Sequence, residues 1–318
     1  MSDPRSDEMA GFRVRASTLL QRIQHGLSNP PFELVDVPHS GWPRPQAHPT
    51  QRPLQILVLD ASFNPPTRAH LALADSPQPS QWKHVSARAS AAQANDATHY
   101  DAKLLLLSVR NADKSLKPGD ATYLQRLEMM KIFSEDVRQQ HSRSDGEETS
   151  NVAIGIIDEP TFVGKSSMLQ AFFRSRAAES PEDPTYHIQL NFILGFDTLE
   201  RLIQPRYYGS REQMIVSLRK FFSPVPEGDD SRVICAQRGS PSSPEGMAGS
   251  TDLAVAEEFM SAGRIVMIDI GEELRTYSST EVRNTIRRLG LEATEWKKFV
   301  PNGIADFIVH EKLYINEA

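Results

Sequence analysis

Six short apolar runs of strand length, separated by polar or helical sequence, constrain this chain more than any other feature. They are Leu54–Leu59, Lys103–Val109, Val152–Ile157, Ile188–Leu194, Val233–Ala236 and Arg264–Ile270. A continuous apolar run without alternation suits a strand buried on both faces of a parallel sheet. Helical patterns lie between most of them: Thr67–Ala74, Ala121–Gln140, Lys165–Arg176, Thr198–Leu218 with a break at Pro205, and Ser279–Leu289. Strand alternating with helix predicts an α/β fold with a Rossmann-like, doubly wound parallel sheet over residues 54–318.

Ahead of that domain, Phe12–Leu27 reads as an amphipathic helix with Leu19, Leu20 and Ile23 on one face. Asp3, Asp7 and Glu8 favour a helix packed on the main domain over a mitochondrial presequence. Asn29–Pro53 holds Pro30, Pro31, Pro38, Pro43, Pro45, Pro49 and Pro53, and so predicts an extended connector. Residues 1–53 are therefore expected to form an N-terminal helix and Pro-rich extension. Stretches near 76–102, 141–150, 177–184 and 239–251 fit neither period and are expected to be surface insertions.

Composition narrows the function classes. The 318 residues are 39% hydrophobic and 24% charged, with a net charge of −6. Such a chain can bury a substantial core without staples. Mean hydropathy is −0.43, and no apolar run approaches the roughly 20 residues of a membrane helix, so no membrane partner is expected. The acidic balance excludes a nucleic-acid binder that works through bulk positive charge; a local basic pocket remains compatible. The single cysteine, Cys235, excludes an internal disulfide framework and a cysteine metal cluster. A reducing compartment fits, with the cytoplasm as the default and the nucleus as the other location. No metal-ligand cluster is evident.

The chemistry is concentrated at strand ends. Leu57–Asp60 closes a strand, Ala61 and Ser62 are small enough for a ligand to approach the backbone, and Asn64-Pro65-Pro66 makes a stiff turn. Thr67 is a good N-cap for a helix running through His70. In an open parallel sheet that crest binds ligands, and the amides of a helix start favour phosphate. Thr67 and His70, three apart, share a helix face and can address the same phosphate. A chance Pro-turn with a helix cap and an unoccupied His is the plain alternative.

The segment Leu59-Asp60-Ala61-Ser62-Phe63-Asn64-Pro65-Pro66, followed by Thr67-Arg68-Ala69-His70, resembles the signature of the nucleotidylyltransferase superfamily: a strand, then G-S-F-N-P, then H/T-x-G-H. Within it, the resemblance is to fungal proteins of the nicotinamide mononucleotide adenylyltransferase-like type. Ala61 and Ala69 stand where the pattern has Gly. A second signature follows in order. Ser278-Ser279-Thr280-Glu281-Val282-Arg283 resembles I-S-S-T-x-x-R, with Tyr277 for Ile. Its three hydroxyls and the amides of a helix start can bind triphosphate oxygens. Arg283, one turn along, presents a fork suited to an oxyanion. Two ordered signatures about 210 residues apart are harder to obtain by chance than one.

The resemblance implies further site residues. Lys114 and Lys117 lie on a loop that resembles the family's phosphate-neutralising lysine loop, before Gln125-Arg126; the spacing to Arg126 favours Lys114, and Arg126 itself ties helix to loop. Glu159–Ser166 resembles a segment near the base: Phe162 either stacks on a ring or packs in the core, and Lys165 only caps the helix region. Gly195 permits close approach of adenosine. Asp197 accepts from a ribose hydroxyl or a backbone amide, or caps the next helix. Arg238, in Arg238-Gly239, contacts phosphate or lies solvated at a loop edge. Phe299–Tyr314 resembles the closing segment, with Ile304, Phe307, Ile308 and Leu313 toward the core and His310 at the surface.

The implied reaction transfers AMP from ATP to nicotinamide mononucleotide, giving NAD and pyrophosphate. Its partners are those two nucleotides, and Mg²⁺ arrives on the ATP phosphates. Two other readings stand beside it: another nucleotidylyltransferase (cytidylyl- or pantetheine-phosphate adenylyl-), or a degenerate relative that binds nucleotide or hydrolyses ATP slowly.

Overall fold

The computed structural model describes residues 4–44, 53–82, 99–110, 118–145, 151–178, 187–237 and 253–315. A seven-stranded sheet forms its centre. The strands are β1 (Phe32–Asp36), β2 (Leu54–Asp60), β3 (Ala102–Ser108), β4 (Val152–Ile157), β5 (Ile188–Gly195), β6 (Arg232–Ala236) and β7 (Ile265–Ile268). Their order is β1-β4-β3-β2-β5-β6-β7, and every pair is parallel except the antiparallel β1–β4 pair at the edge. The chain winds from β2 outward to β4, then returns past β2 to build β5, β6 and β7. The order therefore reverses between β2 and β5, and in an open α/β sheet ligands bind outside the strand carboxyl ends at such a point.

The apolar runs become strands because both faces are covered. Leu57, Leu59, Leu105, Leu107, Ile154 and Ile193 enter one core, with side chains of helices α1 (Pro4–Gln24), α2 (Arg68–Ala74) and α3 (Tyr123–Asp145). Ile56, Val58, Leu104, Leu106, Phe192 and Val233 enter the other, with α4 (Phe162–Ala178), α5 (Phe196–Leu202), α6 (Arg211–Phe222) and α7 (Leu253–Ser261). A four-residue helix, α8 (Glu272–Arg275), then α9 (Ser279–Leu289) and α10 (Asn302–His310), complete the described helical elements used below. None of the described helices is long and apolar enough to cross a membrane.

The structure departs from the sequence expectations at definite places. The connector 29–53 contains β1, whose Phe32 and Val35 are buried; five residues flanked by prolines suffice for an edge strand, where prolines are tolerated. Trp42, farther along, is fully buried and donates to the Asn151 carbonyl at 3.3 Å. The stretch 76–102 is not all surface: Trp82 and Tyr100 are buried, and the Trp82 indole donates to the Gly263 carbonyl at 2.7 Å. Helix α3 runs to Asp145 and α4 to Ala178, into two other expected insertions. Residues 83–98, 146–150, 179–186 and 238–252 lie outside the described residues. Helices α7 and α8 were not expected either. The break at Pro205 is a single 3₁₀ turn, Pro205–Tyr207, between α5 and α6. In α10, Ile304 and Ile308 are buried and His310 is exposed, as expected.

Candidate active site

The loop after β2 is built around a capped histidine. Thr67 caps α2, and its side chain accepts from the His70 amide at 3.4 Å. In return His70 Nδ1 accepts from the Thr67 amide at 3.1 Å. An amide can only donate, so Nδ1 carries no proton and the ring's hydrogen sits on Nε2. Nε2 has no hydrogen-bond partner among the described residues. Burial pushes the ring pKa from 6.5 down to about 4, so His70 is a neutral N–H donor at pH 7. The Thr67 hydroxyl lies 2.8 Å from Nδ1, and the residue is fully buried. Thr67 is thus turned into the cap, where it positions the ring, rather than outward beside His70.

Phe63 and Asn64 shape the same loop. Phe63 is fully buried at φ 45°, a left-handed conformation costly for an aromatic residue, with its ring 5.9 Å from that of His70. Buried Asn64 accepts on its side-chain oxygen from the Tyr314 hydroxyl at 2.9 Å and the Ala121 amide at 3.3 Å. Neither alanine of the signature needs glycine's freedom. Ala61 and Ala69 both keep negative φ, and Ala69 lies inside α2, where Ala is favoured over Gly.

The second signature closes on the first. Arg283 donates to the Asn64 carbonyl at 2.5 Å, and the Ser279 hydroxyl donates to the Pro65 carbonyl at 2.7 Å. Ser278 is the N-cap of α9, accepting from the Glu281 amide at 3.1 Å. Thr280, exposed, accepts from Arg283 at 3.4 Å. Residues some 214 positions apart in sequence thus meet through a helix N-terminus docked on the turn.

Other expected residues distribute unevenly. Gly195 ends β5 and is the N-cap of α5. A Cβ built there would meet nothing within 4 Å, so the space before its backbone is open. Asp197 is therefore not the cap; it is an exposed first-turn residue of α5. Ser62 lends its carbonyl to buried Arg126 at 3.4 Å, and Arg126 also donates to the Ala121 carbonyl at 2.9 Å, tying α3 to the loop as expected. Phe162 is half-buried against the second core, edge-on to Phe192 at 5.7 Å. Lys114, Lys117 and Arg238 lie outside the described residues.

Two features escaped the sequence reading. Lys165 is not a cap: it is 4% exposed, ion-paired to Asp60 at 2.5 Å, with its ammonium 5.0 Å from the Phe162 ring centre. The pair joins α4 to the end of β2. Nothing local in the sequence marks partners 105 residues apart. The second is a cleft of about 430 Å³ between the start of α4 and α6, lined by Thr161, Val163, Gly164, Tyr207, Tyr208 and Gln213 among others. The Glu159 carboxylate accepts from the Thr161 amide and hydroxyl at 2.8 and 2.6 Å, fixing the loop before α4. Among the described residues no group of three or more His, Cys, Asp or Glu side chains forms a metal cage.

No protein-family profile matches the chain. A curated Schizosaccharomyces pombe protein named "Putative nicotinamide mononucleotide adenylyltransferase" is 29% identical over 184 residues, covering 58% of this chain and 53% of that one. The chain thus spans about half the length of the curated relative it matches. Among solved structures, Plasmodium falciparum nicotinic acid mononucleotide adenylyltransferase complexed with APC aligns over 82% of this chain and 96% of its own. Its identity is 15% and its TM-score 0.42, too low to speak to function. The two signatures meet at the strand-order reversal, and over 58% of its length the chain is similar to this fungal relative.

Proposed function

We propose that this chain transfers AMP from ATP to nicotinamide mononucleotide, releasing pyrophosphate and NAD. The observation that supports this most is the meeting of the two signatures, through Arg283 to Asn64 and Ser279 to Pro65, beside the β2–β5 switch point. An oxygen of the acceptor's phosphate bonds to the α-phosphorus of ATP. The bond from that phosphorus to the bridging oxygen breaks, and pyrophosphate leaves with the electron pair. No enzyme nucleophile is required, so catalysis is alignment plus stabilisation of negative charge.

The residues suit those roles. His70 donates Nε2–H to a phosphate oxygen near the reacting phosphorus, and Thr67 holds the ring. The amides at the start of α9 and the fork of Arg283 take the departing phosphates. Gly195 leaves room for adenosine against the end of β5. The cleft beside Tyr207 and Tyr208 falls in the size range of small-molecule sites and offers aromatic surface for the acceptor's ring. Lys114, Lys117 and Arg238 are proposed as additional phosphate contacts, with Asp197 at the ribose and Phe162 at the acceptor's base. Magnesium, bound with the triphosphate, would supply charge neutralisation; among the described residues no group of three or more His, Cys, Asp or Glu side chains forms a cage for it.

The test is to incubate the full chain with Mg²⁺ and ATP, supplying nicotinamide mononucleotide, nicotinic acid mononucleotide or pantetheine phosphate in turn, and to repeat with CTP. Dinucleotide and pyrophosphate formed together, fastest with ATP and nicotinamide mononucleotide, support the proposal. Pyrophosphate with another pair corrects the substrate. Inorganic phosphate alone favours slow ATP hydrolysis.

A further inference from the structure

The first turn of α4 is fixed from two sides. On one side Thr161 caps it: the hydroxyl accepts from the Gly164 amide at 3.1 Å and donates to the Glu159 carboxylate at 2.6 Å. A Cβ at Gly164 would collide with that carboxyl group, so this close approach requires glycine. On the other side Lys165 reaches from the same turn to Asp60, Nζ to Oδ2 at 2.5 Å, and both side chains are buried. The ammonium also lies 5.0 Å from the Phe162 ring centre, and Phe162 meets Phe192 of β5 edge-on. Asp60 is the last residue of β2. The chain passes from it directly into the loop whose Asn64 and Pro65 carbonyls receive Arg283 and Ser279. Thr161, Val163 and Gly164 line the cleft of about 430 Å³. The buried pair therefore bridges the wall of the cleft and the root of the loop that carries His70.

We propose that Lys165 and Asp60 are positioning residues: their link sets the cleft wall in register with the loop after β2, and so aligns the acceptor with the phosphorus it attacks. The proposal rests on the nucleotidyl-transfer reading, which seats the acceptor in that cleft and the triphosphate at that loop. Neither group takes part in the reaction. Each is buried against the other, so they act through the elements they hold. The attacking oxygen and the phosphorus must lie about 3–3.5 Å apart in line, and a misplacement of about 1 Å costs about a hundredfold in rate. The ladder holds β2 to its neighbouring strands, whereas the first turn of a helix that follows a loop takes its place from side-chain contacts. The Lys165–Asp60 pair is the contact that carries this turn to β2.

Stability and turnover separate the proposal from a merely structural role. The full chain, Lys165→Met, Asp60→Asn and Asp60→Asn/Lys165→Met are assayed for dinucleotide formation from ATP and nicotinamide mononucleotide, at a temperature where circular dichroism shows each to be folded. Lys165→Met leaves a carboxylate buried alone, and the double variant does not, so the double variant is the more stable of the two. Both lack the link. Both are therefore expected to lose at least tenfold in kcat, within threefold of one another, while the KM of each substrate changes less than threefold, the pattern of lost alignment rather than lost binding. A double variant whose kcat returns to within threefold of wild type along with its stability overturns the proposal, as does a loss confined to KM. Should the double variant fail to fold, Asp60→Asn supplies the comparison: its amide oxygen still accepts from Lys165, so it should keep at least threefold more kcat than Lys165→Met, and an equal loss overturns the proposal. Absence of dinucleotide from the wild-type chain overturns the nucleotidyl-transfer reading, and this proposal falls with it; dinucleotide from the wild type with undiminished kcat in the folded variants overturns the proposal alone.

Discussion

Replacing Lys165 with methionine tests the junction beneath the proposed site. The Lys165 side chain is 5% exposed and that of Asp60 is 7%, and they meet at 2.5 Å. Methionine keeps much of the volume and removes the charge, leaving the Asp60 carboxylate buried without its cation. Removing one partner of a buried pair costs about 3–5 kcal/mol, because the remaining charge is uncompensated. Removing both charges is far milder, since a buried pair replaced by neutral groups of similar volume is often neutral. The comparison is therefore Lys165→Met against Asp60→Asn/Lys165→Met, each measured by urea unfolding of the full chain. The single variant should lose about 3–5 kcal/mol and the double should recover at least half. A single-variant loss below about 1 kcal/mol, the worth of an exposed pair, refutes the burial reasoning. So does a double variant no better than the single.

Three further outcomes follow from the site. His70→Ala should fold normally and lower turnover by at least about tenfold, in line with loss of one charge-stabilising donor; an unchanged rate in a folded variant removes His70 from the reaction. His70 titrates at 6.5 in an unfolded chain and at about 4 in the fold, so its stabilising contribution is complete above pH 6.5 and is lost as pH falls toward 4, about 2 kcal/mol of it by pH 5. The urea stability of wild type relative to His70→Asn should therefore shrink by about that amount between pH 7 and pH 5, and a constant difference contradicts the assigned ring environment. Gly195→Val should leave the melting temperature nearly unchanged, because φ is −83° and the Cβ space is open, yet raise the KM for ATP about tenfold or more by filling the approach to β5; an unaltered KM puts adenosine elsewhere.

What the sequence disclosed follows from physics at short range. Val152–Ile157 matched its strand end to end, because a strand buried on both faces writes an uninterrupted apolar run. The cap at Thr67 was legible because a cap is made within three residues. β1 was hidden because prolines on both sides resemble a connector, and its pairing with β4 involves residues more than a hundred positions away. The Lys165–Asp60 pair was hidden for the same reason: a charged residue looks alike in sequence whether it is solvated or buried against a distant partner. The cleft beside Tyr207 and Tyr208 exists only once α4 and α6 are packed. His70 was legible as a candidate, but its tautomer required the Thr67 amide to be placed against its ring.

In the proposed reaction the adenylyl group moves intact to the acceptor. Two parallel reactions with nicotinamide mononucleotide and Mg²⁺, one containing ATP labelled at the α-phosphorus and the other ATP labelled at the γ-phosphorus, test it directly. Adenylyl transfer places the α-label in NAD and the γ-label in pyrophosphate, at equal rates. An α-label that stays in mononucleotide products, with the γ-label released as inorganic phosphate, contradicts it.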